Sequence, residues 1–284
     1  MLVYYNEVEP FMVDWLAKLM RDGAIPDGEI DTRSIEDVQP EDLKGFDQCH
    51  FFAGLGAWAY ALELAQWPEH IPVWTGSCPC QGVSRAGKKR GFNDERHLWP
   101  AWKRLVGICQ PPVLFGEQVS GEDGWAWLDR VSTDLENEGF AVGSLDIPAA
   151  VVGAPQERQR IYFVGERLAD APRFNVERER ELEQQVAQRK KQVGGDGPRG
   201  GRDPYNPWET GEFVATREGW RRPVEPGVRL VAPRSPQHVA VLSGLGNSIV
   251  APLAAEFVIS FLESSRDAET MEDNLRNYGF DAVV

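Results

Sequence analysis

Four groups of residues in this chain have types and spacings that could do chemistry. Cys80 follows Pro79 in the run GSCPCQGVS, a stretch of small and polar residues placed after the apolar segment Val73-Trp74-Thr75-Gly76. A thiol at the carboxyl end of a strand, in a loop with unpaired N–H donors, can have a depressed pKa and act as a nucleophile. A buried structural cysteine is the competing reading, and Cys78 is a rival within the same run. Glu117 ends the apolar run of VLFGEQV, where ligands of open α/β sheets usually bind. Partial desolvation there would keep a proton on the carboxyl for general-acid work; capping the next helix is its alternative role. Gln156-Glu157-Arg158-Gln159-Arg160 leads into IYFV and puts two arginines two residues apart, on one face of a strand. Arginine forks in that position suit anionic or carbonyl oxygens, although a solvated edge strand would show the same pattern. Gly54-Leu55-Gly56, after Cys49-His50-Phe51-Phe52, is either a plain tight turn or a glycine turn that brings backbone close to a cofactor at a helix N-terminus.

The elements that must position these residues alternate along the chain. LVYY at 2–5 reads as a short buried strand, and apolar residues at helical spacing mark a helix from Phe11 to Arg21. Ile30-Asp31 follows a turn and reads as another strand end. Further helices are expected from about Trp58 to Ala65, Leu98 to Cys109 and Trp125 to Gly139, with strands at 73–76 and from 113. Strands alternating with helices indicate an α/β sheet with much parallel pairing. The pattern changes after Leu168: 174–192 is a highly charged helix candidate, 192–207 is rich in Gly, Pro and Arg, and 213–231 is irregular and β-like. A final helix is expected from about Pro252 to Leu262. The expected division is a catalytic and cofactor domain at 1–167, a short insert at 168–236, a return to the catalytic domain at 237–262 and an acidic tail at 263–284.

Composition bounds the possibilities. A chain of 284 residues, 42% apolar and with ten tryptophans, can build a large core without disulfides, and 26% charged residues with a mean hydropathy of -0.40 exclude disorder of the whole chain. Four unevenly spaced cysteines do not form a disulfide framework, and the Cys78–Cys80 pair lacks the spacer and partners of a zinc site, so a reducing, cytoplasmic setting without a structural metal is expected. Neither a secretory signal nor a membrane span is legible, and a monomer is expected. The net charge of -14 argues against a nucleic-acid partner, but residues 156–234 hold 16 Lys/Arg against 13 Asp/Glu, so one segment is locally basic.

Taken together, GSCPCQGVS, FGEQV, QERQRIYFV and GLGNSIV, with HFFAGLGAW upstream, resemble the DNA cytosine-C5 methyltransferases. The resemblance covers about two-thirds of the chain, and the combination of Pro-Cys-Gln, Gln-x-Arg-x-Arg and Gly-Asn is far more specific than any motif alone. It implies a Rossmann-like, S-adenosylmethionine-dependent methyltransferase sheet with a small inserted recognition domain, acting on double-stranded DNA. Cys80 would attack C6 of a flipped-out cytosine, Glu117 would bind and protonate its N3 edge, and Arg158 and Arg160 would hold the base carbonyl and the reactive loop. Phe52, Gly54, Leu55, Gly56, Pro79 and Leu98 would lie along the cofactor, with Asn247 and Ser248 closing that pocket from the far end of the chain. Gln81, Ser84, Arg85, Lys88 and Lys89 would contact DNA from the loop that closes over it.

The sequence departs from the family pattern in four ways. Only 28 positions separate Phe52 from Cys80, too few for the two βα units that usually intervene. YYNEVEPFMVDWL and GEIDTRSIEDV resemble those units, so a rearranged order is expected in which Glu7 binds the cofactor ribose and Ile30-Asp31 the adenine, with Glu29 as the rival acid. His50 stands where the family often has an acid. Gln118 replaces the asparagine of Glu-Asn-Val, and the insert of roughly 69 residues is short. RNA cytosine as substrate, another one-carbon donor, and a DNA-binding relative without catalysis are the alternatives. The compact layout also resembles methyltransferases of phages and prophages.

Overall fold

The computed structural model describes residues 1–79, 98–154, 158–168, 212–215, 221–224 and 248–277. Cys80, the DNA-contact candidates Gln81, Ser84, Arg85, Lys88 and Lys89, Asn247, and the expected charged helix and Gly/Pro/Arg stretch of 174–207 lie outside them.

A seven-stranded sheet carries the chain. In sequence order its strands are β1 (Val3–Asn6), β2 (Glu29–Asp31), β3 (Gln48–Phe51), β4 (Val73–Gly76), β5 (Val113–Val119), β6 (Phe140–Pro148) and β7 (Gln159–Arg167). In space they run β2-β1-β3-β4-β5-β7-β6. The first five are mutually parallel, while β7 pairs antiparallel with both β5 and β6. Strands β1, β3 and β4 are buried along their whole length, as expected where helices cover both faces of a parallel sheet. β6 escaped sequence reading because most of its residues are exposed or half-buried, leaving no apolar alternation to detect.

Each face has its own core. Tyr5, His50, Thr75 and Phe115 are in register and share one face. Helices α1 (Pro10–Arg21), α2 (Ala57–Leu64) and α5 (Ala251–Asn277) cover it through Leu16, Ala59, Leu62, Leu253 and Phe257. The opposite face, with Tyr4, Cys49, Trp74 and Leu114, is covered by α3 (Trp99–Cys109) and α4 (Glu122–Asn137). Trp102 lies at the centre of this second core. It is fully buried, with ring centroids 6.0 Å from Phe51, 6.2 Å from Phe52 and 5.6 Å from Trp99. Gly76 makes room for it, since a Cβ there would stand 2.8 Å from the indole.

The two units ahead of the glycine turn extend the sheet on the far side of β3 from β4, so that β3 enters α2 and returns directly to its neighbour β4. The geometry of that return is unusual. The β1–α1–β2 and β4–α3–β5 connections travel in opposite directions across the sheet on opposite faces, and so share one hand. The β3–α2–β4 connection travels in the same direction as β4–α3–β5 but on the other face, so its hand is opposite to theirs; with those two in the right-handed sense of about 98% of such units, it is a left-handed crossover.

Caps define the helix boundaries. The Glu9 carboxylate accepts from Met12 N at 3.0 Å, and Pro10 supplies the first turn of α1. Helix α5 does not stop at Leu262: it continues unbroken to Asn277, through the start of the expected tail. Within the expected insert, β8 (Glu212–Ala215) and β9 (Arg221–Val224) form a separate antiparallel pair, in keeping with the β-like reading of that stretch. No helix of the described residues is long and apolar enough to cross a membrane.

Replacing Trp102 by alanine is expected to lower the unfolding free energy by about 3–5 kcal/mol, the range for a buried Trp or Phe truncation. Urea unfolding followed by circular dichroism checks this, and an unchanged midpoint would show that the core does not depend on that ring.

Candidate active site

The carboxyl ends of the parallel strands form one rim, and the expected site residues gather on it. At the end of β5, Glu117 is buried, with its Oε1 2.7 Å from Arg160 Nε on β7. The pair forms because β7 lies antiparallel beside β5, with Glu117 opposite Tyr162 and Val119 opposite Arg160, which makes Arg160 the diagonal neighbour of the carboxyl on the same face. Burial pushes the Glu117 pKa up, while Arg160, Arg158 and a hydrogen bond with Ser77 pull against it without reversing it. The carboxyl therefore holds its proton more tightly than an exposed glutamate. It does not cap the next helix, the alternative role the sequence left open: Gly121 occupies that position.

Arg158 precedes β7 with an unusual backbone φ of 24° and sends Nη2 to the Ser248 carbonyl at 2.6 Å. This bond ties the segment leading into α5 to the β7 arginines. Burial lowers the Arg158 pKa and Arg160 adds to the effect. Arg160 turns to Glu117 instead, so the two arginines divide their work.

On the neighbouring strand end, Cys78 is buried in the core beneath the rim, and its carbonyl accepts from Gln118 Nε2 at 3.4 Å. The Gln118 Oε1 accepts from Val119 N at 2.9 Å, so the longer side chain is folded back on its own backbone while reaching β4. Burial of Cys78 among apolar side chains suits a structural cysteine. Pro79 then leads out of the described residues toward Cys80. Leu98, where they resume, precedes the first turn of α3 and packs half-buried against the core.

The glycine turn occupies the rim beyond β3. Phe52, Gly54 and Gly56 all have positive φ, at 52°, 54° and 74°, and at Gly56 a side chain would also press on Leu16 and Ile25. The Glu7 carboxylate at the end of β1 accepts from Gly54 N at 2.7 Å through Oε2 and from Glu9 N at 2.9 Å through Oε1. It thus braces the turn and retains lone pairs for hydroxyl donors. Leu55 lies within the same half-buried turn.

Asp31, at the end of β2, is differently placed. Its carboxylate accepts from Tyr4 Oη at 2.8 Å, from Arg33 N at 2.9 Å, and from Arg33 Nε at 3.0 Å and Nη2 at 2.6 Å, and Arg33 also reaches Asp42 at 2.8 Å. Those contacts use the acceptor capacity of a carboxylate. An adenine amine could reach it only by displacing Arg33. Ile30 beside it is half-buried, and Glu29 is exposed.

His50 is far from any such role. It is fully buried in β3, with Nδ1 2.7 Å from Thr75 Oγ1, Nε2 3.2 Å from Gln48 Oε1 and its ring stacked 5.0 Å from Tyr5. Burial drives its pKa down to about 3. Among the described residues no group of His, Cys, Asp and Glu is arranged to hold a metal ion.

Residues 60–198 match the sequence model of the C-5 cytosine-specific DNA methylases. Through this stretch, just under half of its length, the chain is similar to that family. Type II methyltransferase M.NlaX of Neisseria lactamica is 33% identical over 107 residues, covering 36% of this chain and 34% of its own. Type II methyltransferase M.HgiCII of Herpetosiphon aurantiacus is 32% identical over 128 residues, 43% of this chain and 29% of its own. The chain thus spans about a third of these curated relatives. The crystal structure of a Spodoptera frugiperda DNMT2 variant superposes on 58% of this chain and 42% of that one with a TM-score of 0.39 and 17% identity. The family match holds Cys80, Glu117, Arg158 and Arg160 but begins after the glycine turn, so Glu7, Ile30 and Asp31 lie outside it.

Sequence reasoning named Glu117, Arg158, Arg160 and Glu7, and the fold brings each to the rim. It did not single out Ser77, Trp58, Arg33 or Tyr4 as site residues. Ser77 was visible in GSCPC, but only the fold shows which way its hydroxyl points.

A histidine buried neutral makes a pH prediction. Its folded pKa lies below the unfolded value of about 6.5, so the unfolded chain takes up a proton first as pH falls. Stability contributed by neutral His50 is complete above about pH 6.5 and is lost as pH falls toward 3. His50→Gln should flatten that part of the stability–pH curve in denaturant titrations, and an imidazole that titrates near 6.5 in the folded protein would contradict it.

Proposed function

We propose that the protein transfers a methyl group from S-adenosylmethionine to C5 of cytosine in double-stranded DNA. The observation that carries this reading is the buried Glu117 carboxyl, held 2.7 Å from Arg160 on the strand end next to the one that leads to Pro79 and Cys80. A carboxyl whose pKa is raised can give a hydrogen bond and a proton to N3 of a base. That makes C6 electrophilic. The Cys80 thiolate adds to C6, forming the C–S bond and placing the electron pair at C5.

The cofactor supplies an electrophilic methyl group on a sulfonium. Residues of the rim suit such a ligand: the glycine turn keeps side chains away from the backbone, Glu7 has lone pairs to offer ribose hydroxyls, and Phe52, Leu55, Pro79 and Leu98 would give it apolar walls. Ser248, held by Arg158, and Asn247 before it would close the same side. Adenine at β2 would meet Ile30 and the backbone of Asp31, because the Asp31 side chain is engaged by Arg33 and Tyr4. After methyl transfer, loss of the C5 proton restores the ring double bond and expels Cys80 as thiolate. Reaching C6 requires the cytosine to leave the stack. Gln81, Ser84, Arg85, Lys88 and Lys89 would meet the DNA, with the short segment after 168 as the recognition element. That division, and a cytoplasmic monomer of a restriction-modification system or a phage as its setting, belong to the same reading.

Incubation with unmethylated DNA and S-adenosylmethionine, followed by nucleoside mass spectrometry, should show 5-methyldeoxycytidine. Cys80→Ala should abolish it, and Glu117→Gln should lower kcat by about 10²–10⁴-fold. Cofactor binding without any modified nucleoside would turn the reading toward RNA, and no binding at all toward a non-catalytic DNA-binding relative.

The relocated N-terminal unit has its own test. Glu7→Ala should weaken S-adenosylhomocysteine binding in calorimetry by about tenfold, the worth of a charge-assisted hydrogen bond, while DNA affinity stays as it was. Unchanged affinity would remove Glu7 from the cofactor site.

A further inference from the structure

We propose that Ser77 is a positioning residue for the Glu117 carboxyl and that Trp58 sets the direction of the hydrogen bond between them. The inference rests on the methyltransferase reading and extends the same site by two side chains. An indole N–H can only donate. Trp58 Nε1, on α2, lies 3.1 Å from Ser77 Oγ, so the Ser77 oxygen accepts there and keeps its own O–H for another partner. That partner is Glu117: Gly76 and Gly116 are in register, which sets Ser77 beside Glu117 at the adjoining strand ends, and the hydroxyl pulls the Glu117 pKa down as a donor to the carboxyl does. The chain has a single sense: Trp58 to Ser77 to Glu117.

Its consequence follows from what each donor prefers. Arg160 Nε holds Oε1, and the Ser77 hydroxyl holds the carboxyl from the β4 side. Two donors from two strands fix the orientation of the carboxyl before any base arrives, which is what a general acid needs to meet N3 in one geometry. Both also favour the ionised form and so offset part of the burial that raises the pKa. The groups facing Glu117 among the described residues are Arg160 and Tyr162 from β7, Arg158 just before it, and Ser77 just after β4. Ser77 is the one neutral donor set by a second side chain. Without Trp58, its hydroxyl could rotate away to accept rather than donate.

The direct test is a carboxyl-carbon NMR titration of the full chain labelled at glutamate, without DNA or cofactor, with the Glu117 resonance identified by its loss in Glu117→Gln. Ser77→Ala should move the Glu117 midpoint up by on the order of one pH unit, the worth of one hydrogen bond to a charged group. Trp58→Phe should move it the same way by less, and Ser77→Thr should restore it. In methyl transfer, Ser77→Ala should lower kcat while KM for DNA holds, and should shift the alkaline limb upward, because the carboxyl stays protonated to higher pH. A Glu117 midpoint unmoved in folded Ser77→Ala, or unmoved in Trp58→Phe if the alanine variant does not fold, would overturn the proposal. If the wild-type chain transfers no methyl group, the methyltransferase reading fails, while the titration still decides the Ser77 contact by itself.

Discussion

A carboxyl group buried beside two arginines at the start of β7 is the constraint around which this site is organised. Glu117 cannot be left unpaired in an apolar interior without giving up its charge. Arg160 supplies the partner only because β7 runs antiparallel between β5 and β6 in a register that sets it one step diagonal to Glu117. Reversing or shifting β7 by one residue would turn Arg160 to the opposite face. The antiparallel strand in an otherwise parallel run is therefore tied to the chemistry: it returns an arginine to the edge where the parallel strands end.

The same logic of strand ends explains how residues from separate units of the chain meet at one site. Glu7 and the glycine turn follow β1 and β3, Ser77 follows β4, Glu117 lies in β5, Arg160 in β7 and Arg158 just before it. All of them stand at one edge of the sheet, because parallel strands place every carboxyl end on the same side and antiparallel β7 brings its amino end there. Chain order can change without moving that edge. Its structural mark is the left-handed return through α2, a sense that β-sheet twist disfavours. The packing of α2 against α5 and the aromatic cluster around Phe115 hold the helix on the face where Trp58 can reach Ser77.

The polar groups of the rim fall into two kinds. His50, Thr75 and Gln48 satisfy one another inside the sheet, and Asp31 is satisfied by Tyr4 and Arg33. These networks fix strands. Glu7 and Glu117 are each held by donors on one side while keeping acceptor capacity, or a proton, for something else. Sequence alone could not separate the two kinds, because Asp31 and Glu7 look alike in their motifs and differ only in what the fold places beside them.

The sequence by itself determined a good deal. Buried parallel strands read as short apolar runs, α1, α2, α3 and α4 read from their periodicity, and the Glu-Gln-Val and Gln-x-Arg-x-Arg motifs marked strand ends that meet at the rim. Those features are local, so they survive in a one-dimensional reading. The tertiary structure alone decided which face each side chain takes, that β6 exists as an exposed edge strand, and that α5 runs on past Leu262. It alone showed that Arg33 occupies Asp31 and that Trp58 and Ser77 stand behind Glu117. Residues 19, 40 and more positions apart in the chain meet there, and no periodicity encodes such meetings because hydrogen-bond partners are set by packing between elements rather than by spacing within them.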